Sequence, residues 1–173
     1  RGETYLTFNP GIILGGTEIS YDEPSNTGNA FGKTNVVAQS VIIDGDLRFI
    51  SEEQKKRTRE KMREIISNNL PETSAEITFF DSYPAMPPTQ KNKDLLKKFS
   101  DVSVSMGHGP VEAWDPSKRG AADVSFVAQY VACIDGLGAM GNWAHTSKET
   151  INLKTFDVLT QRTAVLIYRL VNE

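Results

Sequence analysis

Apolar and polar positions alternate most regularly over residues 35–50. There Val41, Ile43, Leu47 and Phe49 share one side at period two, and Ser40, Asp44, Asp46 and Arg48 share the other. One long, half-buried strand is expected, with Gly45 marking a bulge. Upstream, residues 4–8 and 12–14 are β-rich runs parted by Asn9-Pro-Gly, a turn signal. Residues 18–33 are polar, carry Pro24, Gly28 and Gly32, and are expected to form a long loop. Ser51-Glu-Glu-Gln54 has the capping-box pattern that opens a helix, here running to about Asn69. Its narrow apolar stripe, Met62, Ile65 and Ile66, fits a surface helix covering a sheet. Pro71 stops it, and residues 76–80 read as a further strand.

Three prolines within residues 82–89 mark a change of character. Beyond them, a short helix is expected over 92–99, a strand over 102–105 and a Gly/Pro-rich loop over 106–119. A helix over 122–130, a buried strand over 131–136 and a glycine-rich loop over 136–141 follow. The terminal helix, 155–171, places Phe156, Leu159, Leu166, Ile167 and Leu170 near helical spacing. The expected division is a module at 1–82, a linker at 83–90 and an α/β portion at 91–173. The β-β-α-β module holds too few elements for a comfortable closed unit. The chain also opens on Arg1 directly before strand-like sequence, so Arg1 reads as a processing, proteolytic or cloning boundary.

Composition narrows the class. With 39% hydrophobic and 24% charged residues, the chain of 173 residues is globular in type. A net charge of −3 gives no broad basic field for nucleic acid or an anionic membrane surface. The longest apolar run, 164–168, is far short of a bilayer span. The single cysteine, Cys133, allows no internal disulfide and, within Val131-Ala-Cys-Ile, is expected in the core.

Candidate chemistry is sparse. There are two histidines, His108 and His145, and the chain contains no HExxH, GxSxG or phosphate-loop pattern. His145 lies in Gly138-Ala-Met-Gly-Asn-Trp-Ala-His-Thr-Ser-Lys-Glu149. Glycines there would let backbone approach a ligand, and Glu149 could orient the imidazole from behind. A plain surface-loop histidine fits the same residues. His108, between Gly107 and Gly109, reads as a loop residue. Arg48 has the fork to hold a carboxylate, or it simply pairs with the aspartates on its own strand face. Asn35 is by itself unremarkable, and Asp123 could be a helix N-cap.

Taken in order, these segments resemble a known superfamily. Gly32-Lys-Thr-Asn-Val-Val-Ala followed by Ile43-Asp-Gly-Asp-Leu-Arg-Phe49 resembles the lid signature of the zinc-dependent glutamate carboxypeptidase, aminoacylase and succinyl-diaminopimelate desuccinylase superfamily. Lys118-Arg-Gly-Ala-Ala-Asp-Val-Ser125 resembles its Gly-x-x-Asp turn, and residues 138–149 resemble its closing loop with His and, four residues on, Glu. The glutamate carboxypeptidase-like branch is nearest in flavour.

The resemblance implies an α/β fold: a partial βαββαβ lid, or dimerisation, domain followed by the C-terminal half of an α/β zinc-peptidase catalytic domain. It implies two zinc ions in the complete protein, with a bridging water and a glutamate general base. By motif position His145 would be a metal ligand, with Glu149 and Asp123 as supporting groups. Asn35 and Arg48 would hold the substrate carboxylate, within one protomer or across a dimer, and Gly120 would line the pocket. The other zinc ligands and the general base belong to a half not contained in these residues, so no zinc and no catalytic group are expected for this chain alone. The activity implied is cleavage of a C-terminal amino acid or of an N-acyl amino acid, with peptides or N-acyl amino acids as substrates and a homodimer formed through the lid. A non-catalytic dimerisation module is the competing reading, and a carboxylate-binding domain without chemistry is a third.

Overall fold

The computed structural model describes every residue except Arg1 and Arg119. The boundary read at Arg1, and Arg119 within the turn at 118–125, therefore lie outside the described residues. The chain forms two units, Arg1–Glu76 and Ile77–Glu173.

The first unit is built on β1 (Thr7–Gly16) paired antiparallel with β4 (Ser40–Arg48). The turn expected at Asn9-Pro-Gly is instead a bulge inside β1. Pro10 pairs with Gly45, and the register then skips to Ile12 opposite Asp44. Proline has no N–H to give the ladder, and an extra residue absorbs the gap. Gly45 is required opposite this bulge, because a Cβ there would stand 2.2 Å from the Asn9 carbonyl oxygen.

The polar stretch expected as a loop is a hairpin, β2 (Glu18–Asp22) with β3 (Thr27–Phe31). Its register sets Glu18 opposite Phe31 and Asp22 opposite Thr27. The link between them is tied by Ser25 to the Asp22 carboxylate and by Asn26 in the left-handed region, φ 52°. Only β2 carries the period-two signal, through half-buried Ile19 and Tyr21, so the alternation was too weak to read. The Tyr21 hydroxyl donates to the Asp44 carboxylate at 2.7 Å and fastens the hairpin to β4. Gly28 sits against the Leu14 side chain so closely that a Cβ would meet its Cδ1 at 2.4 Å.

That hairpin reverses part of the expected strand face. Ile42 and Asp44 are half-buried beneath it, while Val41 and Ile43 are 58% and 63% exposed. Ile13, opposite Ile43, is 62% exposed on the same side. Leu47 and Phe49 remain half-buried, as the alternation predicts.

Helix α1 (Glu52–Ser67) starts where the capping box places it. Ser51 Oγ accepts the Gln54 N–H at 3.1 Å, and Gln54 Oε1 accepts the Ile50 N–H at 2.9 Å. Buried Gln54 also donates to the Thr4 carbonyl, which ties the start of the chain to the helix. Met62 and Ile66 are half-buried, whereas Ile65 turns to solvent. Residues 76–80, expected as a strand, join none of the sheets. Their β-type residues satisfy local propensity, but a strand exists only by its ladder, and among the described residues none is formed there.

The second unit is helical at heart. α2 (Gln90–Ser105) runs straight through the segment expected as a strand. Val102-Ser-Val-Ser alternates, yet Asn92, Phe99, Val102 and Ser103 follow helical spacing on one buried side. Phe99 and Val102 pack against Leu166 of α3 (Leu153–Val171), with Met106, Val111, Ile134, Leu137 and Val165 around them. Arg162 of α3 lies over the Phe99 ring, 5.3 Å from its centroid, and donates to Ser103 Oγ at 3.1 Å. Asn92 accepts the Cys133 N–H at 2.9 Å, so the segment expected as a buried strand at 131–136 is instead an irregular stretch pinned at buried Cys133. The helix expected over 122–130 shortens to one 3-10 turn, Asp123–Phe126. β5 (Gly141–Asn142) and β6 (Thr150–Ile151) form a minimal hairpin. Among the described residues, no helix is long and apolar enough to cross a membrane.

Candidate functional site

His145 sits at the tip of the loop between β5 and β6. The base of that loop is narrow: a Cβ on Gly141 would lie 1.9 Å from the Thr150 carbonyl oxygen, so only glycine fits. The Asn152 N–H closes it further, donating to the Met140 carbonyl at 2.7 Å. Within the loop, the Trp143 carbonyl accepts both the Thr146 N–H at 3.1 Å and the Thr146 hydroxyl at 2.7 Å. The Glu149 N–H then donates to the Thr146 carbonyl at 3.1 Å. Two consecutive turns result, and they set both Trp143 (φ 61°) and His145 (φ 63°) in the left-handed region. Such backbone is unfavourable for a side chain with a Cβ and persists where hydrogen bonds fix it. The imidazole is exposed, and no hydrogen bond joins it to Glu149, which is exposed as well.

Arg48 closes β4, and its Nε donates to Asp46 Oδ2 at 2.8 Å. Asp44 does not share in this pair, because it accepts the Tyr21 hydroxyl. Asn35, expected at the start of the strand, lies in an exposed turn before it, where the Val36 N–H donates to the Lys33 carbonyl at 3.1 Å. Ser40 and Arg48 are the two ends of a nine-residue strand, about 26 Å apart at the usual rise. Asn35 precedes one end and Arg48 forms the other.

In the second unit Gly120 is exposed, and a Cβ there would meet nothing within 4 Å. Asp123 is the first residue of the 3-10 turn rather than its cap, a position taken by Ala122. Its Oδ1 accepts the Tyr83 hydroxyl at 3.2 Å, and the Tyr83 ring packs on Phe126 at 5.3 Å between centroids. Asp123 thus braces the turn it opens. His108 completes the end of α2: its N–H donates to the Ser103 carbonyl at 3.0 Å between Gly107 (φ 80°) and Gly109 (φ 76°). The carbonyl of Trp143 anchors the turn that carries His145. Its only signal in the sequence was a large aromatic two residues before the histidine.

The donor set does not amount to a metal site. Zinc requires three or four converging N, O or S donors. Among the described residues, no group of three or more His, Cys, Asp or Glu side chains gathers. His145 contributes one imidazole, too few donors to hold a zinc ion by itself.

Comparison with known proteins bears on the first unit. An antiparallel strand pair, a capped helix and a hairpin make a small mixed α/β unit, and residues 1–74 match the family model described as a peptidase dimerisation domain. That match is consistent with the M20 peptidase family, whose members are metal-dependent hydrolases. No curated protein and no solved structure matches the chain.

Proposed function

We propose that this chain is part of a metal-dependent peptidase or amidohydrolase of the M20 type that cleaves a C-terminal amino acid, glutamate-like in character, or an N-acyl amino acid. The observation that carries the reading is the dimerisation-domain match over residues 1–74. The ordered signals Asn35, Arg48, the turn at 120–123 and His145 along the same chain support it.

In this reading two copies pair through the first unit. In the complete protein His145 would supply one imidazole donor to a zinc site, with Glu149 as its supporting group. Zinc bound there would supply Lewis-acid chemistry. Arg48 exchanges its Asp46 partner for the substrate carboxylate, a bidentate contact that fixes the reacting end. Asn35 precedes β4 and Arg48 ends it, an arrangement that suits the two acting on one carboxylate from different protomers. Gly120, bare of neighbours, gives the substrate backbone room, and Asp123 holds the turn. The competing reading, a pairing module without chemistry, draws on the same match and on the single metal donor.

An assay of the complete gene product on N-acyl amino acids and on peptides ending in glutamate separates the two. Hydrolysis abolished by a chelator and restored by zinc is expected. A well-folded dimer that hydrolyses neither substrate class would leave the pairing module standing.

A further inference from the structure

We draw no further inference here: the strongest candidate, the apolar patch of Ile13, Val41 and Ile43 on the face of the β1–β4 sheet away from the hairpin, is exposed, but nothing in the structure shows what covers it.

Discussion

Arg48 is held by Asp46, two residues before it on β4, through an Nε–Oδ2 contact of 2.8 Å. Both side chains are largely open to water, at 69% and 49% exposure. An exposed pair of this kind contributes about 0–1 kcal/mol. Arg48→Ala should therefore leave the denaturant midpoint nearly unchanged. If Arg48 instead receives a substrate carboxylate, the same variant raises KM by about tenfold or more, equivalent to about 1.4 kcal/mol of lost binding. Parallel denaturation and kinetics on the complete protein read both. A large stability loss with unaltered KM would assign Arg48 to structure alone.

Gly45 and Gly120 make a contrasting pair. A methyl at Gly45 runs into the Asn9 carbonyl across the bulge, whereas a methyl at Gly120 meets open space. Gly45→Ala should destabilise the first unit by about 1–3 kcal/mol, the usual cost of overpacking. Gly120→Ala should stay within about 0.5 kcal/mol of the parent, as an exposed substitution does. Thermal denaturation of both variants tests the placement, and equal losses would contradict it.

The hydroxyl of Tyr21 is committed to Asp44. Donation to that carboxylate, helped by burial and nearby negative charge, pushes the phenol from its ordinary 10.0 up to about 12. The sign is that of a folded pKa above the unfolded one. The bond's contribution is complete below about pH 10 and fades as pH rises through about 12. Tyrosinate absorbance should show one late-titrating phenol that Tyr21→Phe removes. All the tyrosines titrating together near the ordinary value would refute the pairing.

Asn92 fastens the irregular stretch around Cys133 to α2. Its Oδ1 accepts the Cys133 N–H at 2.9 Å, and its Nδ2 donates to the Pro87 carbonyl at 3.3 Å. Asn92→Ala strands a buried N–H and should cost about 1–3 kcal/mol. Cys133→Ser keeps that backbone bond, although its hydroxyl needs a partner of its own. Hydrogen exchange at the Cys133 amide follows the effect directly. Protection should fall in Asn92→Ala and persist in the cysteine variant.

The features legible in the sequence are the ones settled locally. α1 was readable because Ser51 and Gln54 satisfy its first turn without help from elsewhere. The long strand was readable from its alternation, although only the Leu47 and Phe49 end of its covered face was. That face depends on where the β2–β3 hairpin lies, and Tyr21 meeting Asp44 across 23 positions leaves no local trace. α2 was divided because Val102-Ser-Val-Ser imitates a strand, and packing of Val102 against Leu166 overrides that propensity. Residues 76–80 carry the residue types of a strand, but ladder pairing cannot be read from one segment. At the candidate site, the loop that carries His145 was legible from its glycines. The left-handed backbone that displays it was not, since Trp143 and Thr146 impose it through a turn that has no glycine at the critical position.

The proposed role of His145 as a metal ligand is tested most directly by metal analysis. The complete gene product and its His145→Ala variant would be purified, shown to be equally folded, and assayed for bound zinc. The proposed function predicts about two zinc ions per protomer in the parent and a loss of about one or more in the variant, together with loss of hydrolysis. A parent without zinc, or a variant with unchanged zinc content and activity, would contradict it.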